Sequence, residues 1–177
     1  MSIRRIVYIT GTRADFGLMA STLKLLEESP LLSIGLIVTG MHLSNKYGNT
    51  VNEVISSNIE IIARVPIPLE PETGKTMSLA LSAMITEFTQ LLEREKPDLV
   101  LVLGDRGEML AAALACLHLA IPVAHIHGGE RSGTIDESIR HAISKLSHIH
   151  LVATNESKER LISLGELPES INVTGAP

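Results

Sequence analysis

The sequence predicts a doubly wound α/β domain, a Rossmann-like parallel sheet with helices on both faces. Three observations predict it. Apolar runs of five to seven residues, rich in Val, Ile and Leu, alternate with longer stretches of helical periodicity. The runs are unbroken, as strands buried on both faces require. Several of them break at a glycine, at Gly11, Gly40 and Gly104, where a turn into a helix is expected.

The first strand is expected over residues 3–9. Leu18, Met19, Leu23, Leu25 and Leu26 then give residues 15–28 a helical face. A second strand is expected at 34–38, a short helix from about 49 to 57, and a third strand at 59–63. Residues 66–76 hold three prolines and a glycine and read as a long loop. Met77, Leu81, Met84, Ile85, Phe88, Leu91 and Leu92 recur at helical spacing, and that helix ends near Lys96-Pro97. Residues 99–103 form the fourth strand. Residues 107–118 are apolar nearly all round, so their helix, with His118 at its end, is expected to be deeply buried. The fifth strand is expected at 121–126. Ile135, Ile139, Ala142, Ile143 and Leu146 mark the next helix. A sixth strand at 149–153, a helix at 156–164 stopping at Gly165, and a last strand at 171–174 complete the pattern. His148 and His150 flank the sixth strand and are expected to cap or pack. The finish at Gly-Ala-Pro reads as a domain boundary.

Composition narrows the function. A chain of 177 residues suits one domain with a real core. Net charge is −5, and the aromatics are two Tyr, two Phe and no Trp. Neither a basic nucleic-acid surface nor a stacking platform for bases is expected. Cys116 is the sole cysteine, so no internal disulfide and no zinc-binding pair can form. It reads as a buried thiol in a reducing compartment. No secretory leader pattern and no run of 18 apolar residues appears. The expectation is a cytoplasmic protein that does not cross a membrane.

In doubly wound sheets, ligands bind past the carboxyl ends of the strands. Five segments lie there. Thr10 to Gly17 lacks the G-x-G-x-x-G fingerprint but offers a glycine turn and a helix N-terminus, which favour a phosphate, with Arg13 as a second contact. Equally, the turn can be purely structural, with Asp15 starting the helix. His42, in Gly40 to Asn45, is either a loop histidine or a ligand contact. In Gly104 to Glu108, Asp105 suits an N-cap closed by Glu108, and also acid/base work beside Arg106. In His125 to Arg131, residues 125 and 127 point the same way if the strand persists, and with Glu130 they could suggest a metal, but no recognised ligand spacing supplies a convincing third ligand. In Gly133 to His141, Thr134 and Glu137 match a capping box, Asp136 sits in the first helical turn, and Arg140 is spaced to pair with it.

Together the segments G-T-R-A-D (11–15), T-G-M-H-L (39–43), G-D-R (104–106), H-G-G-E (127–130) and G-T-I-D-E-S-I-R-H-A-I (133–143) resemble the hydrolysing UDP-N-acetylglucosamine 2-epimerases of sialic-acid biosynthesis. The resemblance implies two Rossmann-like domains facing across a cleft, as in GT-B glycosyltransferases. Residues 1–177 match the amino-terminal one, and the carboxyl-terminal nucleotide-binding domain lies outside the match. It also implies a UDP-sugar substrate, no metal or other cofactor, and a dimeric or tetrameric homo-oligomer.

By the same resemblance Asp105 and Asp136 are catalytic carboxylates. His127 stands where the family usually has a third, and Glu130 belongs to the pattern. Gly11, Arg13, Asp15, His42, Arg106 and Arg140 fall to substrate binding. UDP would leave C1 as a base removes the C2 proton, and water would then add with inversion at C2 to give N-acetylmannosamine. The alternatives are a modified sugar such as a UDP-2,4-diacetamido-trideoxy sugar, a GT-B glycosyltransferase half, or a non-catalytic nucleotide-sugar module. With half the cleft outside it, the 177-residue chain alone is expected to be inactive.

Overall fold

The apolar runs lie side by side as seven parallel strands. They are β1 (Arg4–Thr10), β2 (Leu32–Thr39), β3 (Glu60–Val65), β4 (Leu99–Leu103), β5 (Val123–Ile126), β6 (Ile149–Val152) and β7 (Ile171–Val173). The helices are α1 (Arg13–Glu27), α2 (Val51–Ile55), α3 (Gly74–Glu95), α4 (Gly107–Leu119), α5 (Ile135–Leu146) and α6 (Asn155–Ser163). The structure is a computed structural model and describes residues 3–177.

The strand order is β3-β2-β1-β4-β5-β6-β7, with every neighbouring pair parallel. The chain runs outward from β1 to β3, crosses back through α3, and runs outward again from β4 to β7. The direction reverses between β1 and β4, and the crevice of such a sheet opens at that point.

Both faces are buried because successive strand side chains point opposite ways. Ile6 and Tyr8 enter one core with Phe16, Met19 and Leu23 of α1 and Val54 of α2. Val7 and Ile9 enter the other with α3 and α4. Ala80, Met84, Phe88 and Leu92 form the i, i+4 stripe by which α3 packs. The small side chains of Ala111, Ala112, Ala113 and Ala115 let α4 lie close to its neighbours, and Cys116 is enclosed with them. Burial pushes that thiol up to about 12, which leaves it protonated and inert.

The fold class and every strand and helix expected from the sequence are present, most with shifted ends. The fifth strand starts at Val123, not 121, because Pro122 has no N–H and the Ile121 amide turns back to Cys116. The short second helix is trimmed by left-handed residues at Asn49 and Asn58. Thr73 caps α3, so the helix begins before its first large apolar residue. Lys96 ends it in a left-handed conformation ahead of Pro97. His118 is a correction: α4 ends beyond its packed stretch and the ring is exposed. His148 and His150 do cap and pack, the first accepting the Val123 amide and the second buried 3.3 Å from Glu166. Among the described residues no helix is long and apolar enough to cross a membrane.

Phe88 is fully enclosed, whereas Met77 on the same helix is 67% exposed. Phe88→Ala is expected to lower unfolding free energy by about 3–5 kcal/mol. Met77→Ala should change it by less than about 0.5 kcal/mol. Urea denaturation of the two variants checks both values.

Candidate functional site at the carboxyl ends of the strands

The turn after β1 is closed by its own carboxylate. Asp15 is 4% exposed. Its Oδ2 accepts the Gly11 amide at 3.1 Å, the Thr12 amide at 2.7 Å and the Thr12 hydroxyl at 2.8 Å. Its Oδ1 accepts the Thr10 hydroxyl. The amides expected to cradle a phosphate are therefore already occupied, and Asp15 is enclosed beneath the turn.

The ring of His42, expected as either a loop histidine or a ligand contact, is fully buried. Thr10 spends its only hydroxyl proton on Asp15, so it must accept from His42 Nε2–H at 2.9 Å. Nδ1 then accepts from Thr50 at 2.8 Å. Burial lowers the pKa of this ring, consistent with the neutral form that those bonds require.

After β4 the chain turns at Gly104. Asp105 does not cap α4. Arg106 holds the N-cap position without a side-chain bond, and Asp105 reaches out to Arg140 of α5. Glu108 is not a cap partner either. It is 4% exposed and accepts Arg106 Nη2 at 3.1 Å. A Cβ on Gly11 or on Gly40 would lie 2.7 Å from Glu108 Oε1. Those two glycines thus make room for a buried carboxylate between the turns after β1 and β2.

β5 ends at Ile126, so His125 and His127 do not share a direction. His125 is enclosed. Gly104 O can only accept, so His125 donates Nε2–H to it at 2.7 Å and accepts Ser144 at Nδ1, 3.0 Å away. Burial pushes its pKa down to about 3. His127 takes a left-handed conformation with φ of 62°. Its Nε2 is buried without a hydrogen-bond partner. Gly129 follows with φ of 76°, and a Cβ there would lie 2.5 Å from Ser157 O.

Arg140 gathers these ends. Nη1 donates to Glu130 Oε2 at 2.7 Å and to His127 O at 3.2 Å, and Nη2 donates to Asp105 Oδ2. The expected pairing with Asp136 is absent. Asp136 is exposed in the first turn of α5, beside the Thr134 hydroxyl at 3.2 Å. Thr134 caps the Asp136 amide, and Glu137 accepts the Ser132 and Gly133 amides at 2.9 and 2.8 Å. Those backbone bonds lower the Glu137 pKa. Its role is structural, as expected, but through other amides. Arg13 is exposed at the start of α1, 3.1 Å from Glu53.

Asp105, His127, Glu130 and Arg140 thus form one cluster. Gly11, Asp15 and His42 form a second, buried network, and Glu108, paired with Arg106, packs against Gly11. Arg13 and Asp136 stand exposed at helix N-termini. Glu108, Thr10 and Thr50 escaped sequence reasoning as partners in or beside that network. A glutamate in an otherwise apolar helix was the available signal for the first. Beside the cluster, Glu130, Arg131, Thr154, Glu156, Ser157 and Arg160 line a cleft of about 300 Å³. Among the described residues no three ligating side chains converge as a metal site.

Residues 24–177 match the family model described as UDP-N-acetylglucosamine 2-epimerase. The chain belongs to this family. It is 55% identical over 175 residues to the UDP-N,N'-diacetylbacillosamine 2-epimerase (hydrolyzing) of Legionella pneumophila, covering 99% of this chain and 46% of that protein. It is 43% identical over 175 residues to the UDP-N-acetylglucosamine 2-epimerase of Neisseria meningitidis serogroup B, with the same coverage. A solved Neisseria meningitidis UDP-GlcNAc 2-epimerase, bound to UDP-GlcNAc, superposes with a TM-score of 0.85 at 28% identity, over 97% of this chain and 46% of that one. A lipopolysaccharide outer core galactosyltransferase superposes with a TM-score of 0.67 at 17% identity and shares the fold alone. The chain spans about half the length of the epimerase-family relatives it matches.

The His125 environment sets a pH dependence. Its folded pKa lies below the unfolded value of 6.5, so the unfolded chain binds the proton first as pH falls. The stability tied to the neutral ring is complete above about pH 6.5 and is lost as pH falls toward 3. NMR of the histidine ring nitrogens is expected to show His125 neutral, with the proton on Nε2, from about pH 7 to pH 5. Urea midpoints should decline over the same interval.

Proposed function

We propose that this chain supplies the amino-terminal face of the cleft in a hydrolysing 2-epimerase of UDP-linked 2-acetamido sugars. UDP-N,N'-diacetylbacillosamine is the favoured substrate. The observation that carries the reading is the convergence of Asp105, Glu130 and Arg140 past the strand ends of an epimerase-family chain. The choice of sugar rests on the 55% identity to a relative named for that substrate. The 43% identical relative supports UDP-N-acetylglucosamine, with N-acetylmannosamine as product, as the second reading. A polysialic acid biosynthesis protein from Escherichia coli, 39% identical, supports a product destined for sialic-acid-type sugars.

The chemistry follows from the residue types. A carboxylate takes the C2 proton while the C1–O bond breaks, giving the 2-acetamido glycal and UDP. Water then adds its hydroxyl to C1, and a proton returns to C2 from the opposite face. Asp105 and Asp136 are the proton-transfer groups, the second at the positive end of the α5 dipole. Arg106 and Arg13 face the leaving diphosphate, and Arg13 exchanges its exposed partner Glu53 for it at little cost. The second half of the cleft comes from a carboxyl-terminal domain beyond this chain, and the reaction takes place in the cytoplasm.

The test follows UDP release by the two-domain enzyme, with each sugar in turn. The favoured reading expects a higher kcat/KM for the diacetamido sugar, and the opposite ranking transfers the assignment to UDP-N-acetylglucosamine. Asp105→Asn and Asp136→Asn should each lower kcat by roughly tenfold or more while the fold survives. Near-normal turnover in both variants removes these residues from the mechanism. The 177-residue chain by itself should release no UDP.

A further inference from the structure

Arg140 differs from the other cations of the site in being enclosed while its partners are not. Its side chain is 10% exposed, against 23% for Asp105 and 35% for Glu130. Both terminal nitrogens are engaged on the protein, and its Nε, though without a hydrogen-bond partner, is buried out of a ligand's reach. Little of the guanidinium is left for a ligand. Each carboxylate, by contrast, gives one oxygen to Arg140 and keeps the other, Asp105 Oδ1 and Glu130 Oε1, free of it.

We propose that Arg140 is a positioning residue, which fixes the carboxylates of Asp105 and Glu130 and the left-handed backbone of His127 in one reactive arrangement, and does not itself bind the sugar nucleotide. The inference rests on the epimerase reading and deepens it. Three acceptors from the ends of two strands meet one planar group, which presents its donors in a fixed fork. The third acceptor, His127 O, is held by the nitrogen that also holds Glu130, so the unusual φ of His127 and the Glu130 rotamer are set together. A lysine ammonium, a single point on a flexible stem, cannot reproduce that fork.

The test compares the two-domain enzyme with its Arg140→Lys variant. Displacing the carboxylates is expected to lower kcat about tenfold to a hundredfold. KM should stay within about threefold, because no ground-state contact to substrate is lost. The Arg140→Lys change should add little further loss to Asp105→Asn, because it acts through that carboxylate. A raised KM at unchanged kcat, or losses that multiply, overturns the proposal in favour of a substrate contact.

A wild-type measurement keeps the idea testable if the variant does not fold or the enzyme turns over neither sugar. In the ligand-free protein, nitrogen-15 NMR should show separate, slowly exchanging Nη signals for Arg140 that stay put when UDP is added. Averaged Nη signals, or ordering only with UDP, contradict a preset clamp. No UDP release from wild-type enzyme would instead sink the epimerase reading while leaving the clamp measurable.

Discussion

Parallel strands covered by helices on both faces offer polar side chains almost no exposed position along their length. In this chain that constraint arranges everything else. β1, β2 and β4 are apolar through their centres, and β5 carries one buried histidine, so charge gathers where they stop. The reversal of strand order between β1 and β4 then brings the turns after those strands together. Asp15, Glu108, Asp105 and Glu130 all lie at this one edge.

Burying such charge is expensive unless every group finds a partner. The structure meets the demand in two ways. Asp15 takes the amides of its own turn, and Glu108 takes Arg106. These buried carboxylates are fixed from within and stabilise the loops that carry them. Asp105 and Glu130 share a guanidinium from a distant helix and remain partly open. The first pair builds the platform, and the second is left partly exposed beside it. Neutral His42 and His125 brace the two halves, tying the turn after β2 to that after β1, and α5 to the turn after β4.

The sequence disclosed the architecture well, because a two-faced parallel sheet imprints both strands and helices as apolar periodicity. β4 was legible to the residue. The ends of β5 and α2 were not, because they depend on the missing N–H of Pro122 and on left-handed Asn49 and Asn58. The short 3-10 turns at Gly40–Leu43, Asn45–Tyr47 and Pro168–Ser170 left no stripe to read. At the site the residue types were legible, but the partnerships were not. Local spacing pairs Arg140 with Asp136, whereas the fold gives it Asp105, 35 residues away in sequence. Local spacing also makes Asp105 a cap and the turn at Gly11 a phosphate cradle. At Asp105 a charged group reached by tertiary packing displaced the local solution, whereas at Gly11 the turn's own Asp15 took the amides.

The central claim is that these strand ends abstract and return a proton at C2 of a UDP-linked 2-acetamido sugar. Proton NMR of the two-domain enzyme turning over the sugar in D2O tests it most directly. The account predicts free UDP together with the released 2-epimeric sugar, carrying deuterium at C2. Free UDP with an unlabelled, unepimerised sugar, or transfer of the sugar to an added acceptor, would contradict it.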